Sequence, residues 1–388
     1  MNVLSINSFP MGSSSPIGYM GEHLFNDPRF SVFELATHRT PRYSTFAQLF
    51  YINPNRILID FHEPDESSCM VDVSQRIGRD KPRGSLLKTA WKVMAPVKVT
   101  SEAMELLESF SPDVVYTQGY DVRILKLARF FSSYFNIPCV VHTLDNWFSA
   151  NSLILRLQMR EMDKCIAKGG KHLAGSPAMA RWLASQFTGD FIFISNCSTP
   201  CEVAEPIATE ESGKVYLYSG NLTPRRFESL NILVDQLRVG NKLVVYAPCS
   251  QMKLIDQLDE RIEVHHAVSQ IEMPQVINSA DVLVHVESFD ECARKFAKYS
   301  LSTKIGEYLM YEKPILYYGP FDVGVADFLN SLDIGLRAES LDDLRDAIRQ
   351  IEGGQSLVGL IQRQMEVGEK LFRTENVRRR LYESLNEA

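Results

Sequence analysis

The chain has 388 residues, 45% hydrophobic and 23% charged, with 41 basic against 48 acidic side chains and a formal net charge of -7. This balance excludes a disordered or fibrous chain and argues against a nucleic-acid binder, while the length suffices for two domains. No run approaches the ~20 apolar residues of a membrane span, and the start MNVLSINSFPMGSSSP lacks the charged beginning and apolar core of a signal peptide. The expected location is the cytoplasm. Seven cysteines, scattered from Cys69 to Cys292, fit free thiols in a reducing compartment better than a disulfide framework. Cys197 and Cys201, the closest pair, have no His or second Cys pair beside them, so no metal site is expected there.

Short β-rich runs alternate with helical patterns through the first half, the signature of a parallel sheet wrapped by helices. Strands are expected at 3–8, 31–35, 56–61, 113–117, 139–143, 172–175 and 191–195, with helical stretches at 101–110, 122–134 and 178–186 among those between them. The stretch from Arg76 to Lys98 carries seven basic residues against one acid, Asp80. There Leu86, Leu87, Trp91 and Met94 recur at roughly helical spacing beside Lys88 and Lys92, so the segment reads either as a solvated helix face or as a surface for anionic lipid. Residues 197–213, CSTPCEVAEPIATEESG, lose all apolar periodicity and read as a domain linker and hinge.

A second alternating series follows. Strands are expected at 214–219, 242–247, 262–265, 282–286 and 315–318, and helices at 226–238, 251–259, 273–279 and 341–351, with a long terminal helical segment from 357 to the end. Domains of this α/β type bind ligands where loops leave the carboxyl ends of parallel strands, so the cleft between the two domains is the expected site.

GxGxxG, Walker, HExxH and DxD motifs are all absent. Present instead is YLYSGNLTPRRFESL, residues 216–230, in which a strand ends at Ser219-Gly220 and a loop leads Arg225 and Arg226 into a helix. The lack of a side chain at Gly220 lets backbone approach a ligand, and paired guanidinium forks match phosphate oxygens. In ADVLVHVESFD, residues 280–290, an apolar strand runs into Glu287, where a carboxylate can accept hydrogen bonds from sugar or ribose hydroxyls. Spacing alone does not rank Glu287, Asp290 and Glu291.

The stretch YSLSTKIGEYLMYEKPILYYGP, residues 299–320, joins a polar turn, Lys304, Glu307 and a buried strand. Ser302 or Thr303 can cap the helix, Ile305, Tyr308 and Leu309 can face a core, and Pro314 closes it. Lys304 in the first turn invites an anion, although Thr303 with Glu307, or Lys304 with Glu307, could equally be a purely structural pair.

In their order these features resemble the retaining glycosyltransferases of GT-B fold, in particular the large family-four class. The resemblance runs over about residues 214–350, through the strand-Gly loop with its basic pair, the "ADVLV" strand and the K-x-x-E-Y-L-x-x-x-K-P-I-L unit formed by Lys304, Glu307, Tyr308, Leu309, Lys313, Pro314, Ile315 and Leu316. It is thinner over the first half, where INSFPMGSSSPIGYMG with Gly18, VVHTLDNWF around His142 and LAGSPAMARWL around Ser176 look like their counterparts. It implies an α/β chain of two Rossmann-like domains: residues 1–196 for the acceptor, the linker 197–213, residues 214–370 for a nucleotide-sugar donor, and a C-terminal helix 371–388 packing back on the first domain.

The resemblance further implies catalytic roles for Glu287, His142, Arg226 and Lys304, with Gly18, Gly220, Asn221, Arg225, Arg226, Thr303, Lys304 and Glu307 around the donor. Glu307 would hold the ribose hydroxyls, Arg226 and Lys304 the diphosphate, Glu287 the transferred sugar, and His142 would face that sugar. Two positions depart from the family pattern: Tyr299 stands where its first glutamate is usual, and Asn221 where an arginine commonly follows the loop glycine. The implied reaction is sugar transfer with retention from a UDP- or GDP-type donor, with no metal cofactor, to a saccharide or lipid-linked saccharide acceptor in polysaccharide or glycoconjugate biosynthesis. An anionic membrane surface would meet residues 76–98, making the protein peripheral on the inner face of the membrane. A GT-B sugar-nucleotide epimerase and a non-catalytic nucleotide-binding or assembly partner are the alternatives.

Overall fold

A computed structural model describes residues 1–13, 15–40, 42, 44, 46–64, 95–118, 121–146, 153–199, 213–248, 259, 261–269, 272–353 and 356–387, with the backbone alone at 16, 153, 154, 224 and 225. The basic stretch up to residue 94, residues 200–212 of the expected linker and residues 251–258 of an expected helix lie outside these described residues. The chain divides into two compact units, one of residues 1–197 with 377–388 and one of residues 198–376.

The first unit is built on a seven-stranded parallel sheet of β1 (Asn2–Asn7), β2 (Ser31–Ala36), β3 (Gln48–Tyr51), β6 (Val114–Thr117), β7 (Cys139–Thr143), β8 (Lys171–Ala174) and β9 (Asp190–Phe193), in the order β3-β2-β1-β6-β7-β8-β9. Helices cover both faces of such a sheet, so its central strands are buried throughout, as VVYT in β6 and CVVHT in β7 are, while the edge strand β9 stays partly exposed. Four of its helices are α1 (Pro16–Phe25), α2 (Ser101–Phe110), α3 (Val122–Phe135) and α5 (Pro177–Gln186), with α4 (Leu153–Ile166) between β7 and β8.

Two expectations change here. The segment INSFPMGSSSPIGYMG, for which the resemblance implies an opening strand and a glycine-containing loop, becomes helical from Pro16, because Ser15 Oγ accepts the Gly18 N–H at 2.9 Å and Pro16 occupies the first turn, where its missing N–H costs nothing. The strand expected at 56–61 shrinks to β4 (Leu58–Ile59), which pairs with β5 (Lys98–Val99) in a separate two-stranded sheet. The residues just before β4 and just before β5 are tied to α3. The guanidinium of Arg123, only 1% exposed, donates to the carbonyls of Pro54, Ala95 and Arg56 at 2.7, 2.8 and 2.9 Å, and Lys126 Nζ reaches Ala95 O at 2.6 Å.

A buried carboxyl organises the loop after β1. Glu34, fully buried on β2, accepts the Met11 N–H on Oε1 at 2.8 Å, while Arg42 Nε donates to the Met11 carbonyl at 3.1 Å. Oε2 of Glu34 has no partner among the described residues. Burial pushes this carboxyl up to about 7, with the Met11 hydrogen bond and the Arg42 charge pulling the other way.

The second unit carries a six-stranded parallel sheet of β10 (Val215–Ser219), β11 (Lys242–Ala247), β12 (Ile262–His266), β13 (Val282–Val286), β14 (Ile315–Tyr318) and β15 (Leu336–Ala338), in the order β12-β11-β10-β13-β14-β15. Its helices are α6 (Pro224–Gln236), α7 (Met273–Asn278), α8 (Glu291–Ala297), α9 (Thr303–Tyr308), α10 (Gly324–Ser331), α11 (Leu341–Glu352) and α12 (Val358–Leu371). Phe227, Leu230, Leu233 and Val234 of α6 share one core with Leu344, Ala347, Ile348 and Ile351 of α11 and the strands beneath. Ser340 and Asp343 form a capping box at the start of α11.

The terminal segment, expected as one helical stretch, is two helices, α12 and α13 (Thr374–Asn386). The break falls at buried Phe372, whose carbonyl accepts the Ser198 N–H at 2.8 Å and whose ring occupies the space that a side chain at Gly306 would need. Beyond it Val377, Leu381 and Leu385 of α13 enter the core of the first unit beside Met20, Leu24 and Phe25 of α1.

Candidate functional site

Strand order in the second sheet reverses between β10 and β13, and a crevice opens outside the carboxyl ends of strands at such a point. β10 ends at Ser219, and the following Gly220 adopts φ +157°, a backbone angle at which a side chain is strained. The exposed Asn221 turns its carbonyl back to accept the Tyr218 hydroxyl at 2.9 Å. Pro224 opens α6, and the first turn of that helix carries Arg226 to the switch point. Arg225 is in the same turn, but its side chain lies outside the described residues.

Arg226 meets Glu287, the residue that follows β13. Its Nη2 lies 3.2 and 3.1 Å from the two carboxylate oxygens, and its Nη1 lies 3.4 Å from Asn221 O and 3.5 Å from the Tyr218 hydroxyl. His285, two residues earlier and so on the same face of the strand, places Nε2 3.0 Å from Oε1 of Glu287. Ser229 Oγ donates to the Glu287 carbonyl at 3.1 Å. Gly319, just past β14, leaves the room: a Cβ there would lie 3.0 Å from Glu287 Cβ and 2.8 Å from the Tyr317 hydroxyl. Burial pushes the Glu287 carboxyl up, but the His285 contact and the Arg226 guanidinium outweigh it and hold the group at about 2. Glu287 is therefore a carboxylate at neutral pH.

The motif centred on Lys304 arrives at the same edge. Ile305, Tyr308 and Leu309 are buried, as their spacing predicts. The Tyr308 hydroxyl lies 3.2 Å from the Ser219 N–H and 3.1 Å from Ser219 Oγ, which pins α9 to the end of β10. Ser302 is the N-cap residue without a side-chain cap bond, Thr303 is exposed, and the Thr303-Glu307 capping arrangement does not form. Glu307 pairs with Lys304 instead, at 3.0 Å, with both side chains about 30% exposed. Among the described residues no group of three or more His, Cys, Asp or Glu side chains could hold a metal ion.

Two candidates lie in the first unit, and each has an internal role there. His142 is fully buried on β7, with the Tyr116 hydroxyl 2.9 Å from Nδ1 and the Ile194 carbonyl 3.0 Å from Nε2. A carbonyl can only accept, so Nε2 carries the proton and Nδ1 accepts from Tyr116; burial holds the ring at about 4, hence neutral. Both nitrogens are satisfied by protein groups within the first unit. Gly18 likewise serves the fold, since a Cβ there would lie 2.1 Å from Ser13 Oγ and 2.3 Å from the Pro10 carbonyl.

Sequence reading missed His285, Tyr218 and Ser219 as members of the site. The signal for His285 was present: a polar residue inside an otherwise apolar strand, two before an acid, shares that acid's face. Tyr218 and Ser219 looked like ordinary strand residues, and only the returning Arg226 and Tyr308 reveal their partners.

Two doubly wound parallel sheets of this topology make the GT-B fold. No protein-family model matches the chain, and no curated protein matches it either. Solved structures do. HepE of Anabaena, crystallised with UDP, is 12% identical and superposes over 100% of both chains with a TM-score of 0.65. Sucrose-phosphate synthase from Thermosynechococcus elongatus is 13% identical over 100% of this chain and 99% of its own, with a TM-score of 0.64. The lipopolysaccharide outer core galactosyltransferase WaaB, in its apo form, is 12% identical over 100% and 99%, with a TM-score of 0.60. At these identities the likeness establishes the fold, the one that these glycosyltransferase structures share.

Proposed function

We propose that the chain is a glycosyltransferase that moves a sugar from a nucleoside-diphosphate donor to an acceptor hydroxyl with retention of anomeric configuration. The observation that carries this reading is the meeting of Arg226 with Glu287 at the switch point of the second sheet, with the Lys304-Glu307 turn pinned to the same strand end through Tyr308. A cation beside a hydroxyl-accepting carboxylate suits a molecule that joins phosphates to a sugar. HepE structures hold UDP and UDP-glucose, which favours a uridine donor over a guanosine one.

In this reading the bond between the sugar C1 and the diphosphate oxygen breaks, and its electron pair leaves on the phosphate. Arg226 and Lys304 meet that growing charge. Glu307, released from Lys304, accepts from the ribose hydroxyls, and Glu287, kept ionised by its partners, accepts from the transferred sugar. The acceptor oxygen forms the new bond to C1 on the face the phosphate leaves, and its proton passes to the departing phosphate. No protein base and no metal are called for.

Arg226→Ala and Lys304→Ala should each cost ~1.5–3 kcal/mol, roughly tenfold to a hundredfold, in UDP-sugar turnover or donor affinity. Unchanged turnover in both variants would sink the assignment, and a sugar nucleotide isomerised without acceptor would move it to an epimerase. We further propose a lipid-linked acceptor, in polysaccharide or glycoconjugate assembly, presented at an anionic membrane surface. No described helix is long and apolar enough to cross a membrane, so contact would come through the basic stretch 76–98. Sedimentation with anionic vesicles should weaken when Lys88 and Lys92 become Glu, and indifference to those changes would remove this part.

A further inference from the structure

The first sheet also reverses, between β1 and β6, and a cavity of about 590 Å³ opens outside the carboxyl ends of its strands. Ser8 after β1, Thr37 and His38 after β2, Ile52 and Asn53 after β3, and Asp121 ahead of α3 all border it, so it straddles the switch point. Its volume falls within the ~300–1,000 Å³ typical of small-molecule sites.

The lining is polar and of one dominant sign. Tyr51, Ile52 and Ile124 form a buried floor. Arg39 and Arg56 border the cavity, with His38 and His62. The Arg39 guanidinium lies 5.4 Å from the centre of the Tyr51 ring, a cation-π contact that holds its charge over the floor. The acid in the lining, Asp121, accepts the Arg123 N–H at 2.7 Å as the N-cap of α3, where the positive end of the helix offsets its charge. Asn53, Asn55 and Thr37 add amide and hydroxyl groups suited to sugar hydroxyls.

We infer that this cavity binds a saccharide bearing an oxyanion, a phosphate or a carboxylate, and that this is the acceptor class of the enzyme. The acceptor role rests on the glycosyltransferase reading above; the binding preference does not. Two guanidinium groups supply the forked donors that oxyanions fit, and the amides and hydroxyl supply the partners of a sugar ring.

The test is calorimetric titration of the full chain with glucose 1-phosphate, glucuronic acid, glucose and inorganic phosphate, in the wild type and in an Arg39→Ala/Arg56→Ala double variant. Both side chains are exposed, so the variant should fold, which its melting curve checks. At least one charged sugar should bind about tenfold more tightly than both glucose and inorganic phosphate, and the variant should lose that preference while UDP affinity stays unchanged. The tighter of the two charged sugars identifies the oxyanion. Equal binding of glucose, binding no tighter than inorganic phosphate, or a preference that survives in the variant would overturn the inference. Failure of UDP to bind the wild type would instead count against the donor reading, leaving the sugar titrations to decide this one.

Discussion

Arg226 and Glu287 hold each other across the point where the second sheet reverses, with one guanidinium nitrogen 3.2 and 3.1 Å from the two carboxylate oxygens. The sequence suggests a separate ligand for each, yet in the fold they neutralise one another. In the proposed function a donor diphosphate would therefore compete with Glu287 for the guanidinium or join the pair through its remaining N–H groups.

Replacing Glu287 with Gln keeps the shape and removes the charge. The carboxyl of Glu287 lies at about 2 in the fold against an ordinary 4.5, a difference that corresponds to roughly 3 kcal/mol. Because the folded value is depressed, this stability is fully present above about 4.5 and lost as pH falls toward 2. Urea unfolding should show Glu287→Gln less stable than wild type at pH 7, with the gap narrowing from pH 4.5 downward and closing only as pH approaches 2.

Two buried groups of the first unit should tilt stability in opposite directions. His142 lies at about 4 against its ordinary 6.5, so the unfolded chain takes up its proton first, and stability falls as pH drops from 6.5 to 4. Glu34 lies at about 7 against 4.5, so its contribution is present below 4.5 and lost as pH rises toward 7. Melting temperatures across pH 4–8 should show Glu34→Gln gaining on wild type at pH 8 relative to pH 4.5. His142→Gln should flatten the acid limb between 6.5 and 4. Parallel curves in either comparison would contradict the assignment.

Gly18→Ala puts a methyl group where Ser13 and the Pro10 carbonyl already sit. Overpacking of this kind costs about 1–3 kcal/mol. The variant should melt lower than wild type, and a wild-type melting curve would show that the loop yields freely.

Much of the second unit is legible because its central strands are largely apolar on both faces and its punctuation is strong. The runs 242–247, 282–286 and 315–318 were placed to the residue, as Pro314 and Asp281 flank core strands that tolerate few polar insertions. Helix α1 was not legible, since Gly18 and Gly21 lower helix propensity; Met11 packs where a Gly21 side chain would stand, a reason that lies outside the segment itself. The strand expected at 56–61 failed for a similar reason: Arg123, 69 and 67 residues onward, captures the carbonyls of Pro54 and Arg56 and turns the chain aside.

Sequence alone determined two alternating α/β units, a basic helix start after β10, an acid after β13 and a Lys-Glu turn before β14, because periodicity and capping are local properties of the chain. Which of these groups touch was decided only by tertiary structure. Arg226 and Glu287 are 61 residues apart and Ser219 and Tyr308 are 89 apart; the reversal of strand order brings the first pair together, and the packing of α9 on the end of β10 the second. The same long-range packing buries His142 among Tyr116 and Ile194, because a side chain's partners depend on which strands become neighbours, and no local pattern records that.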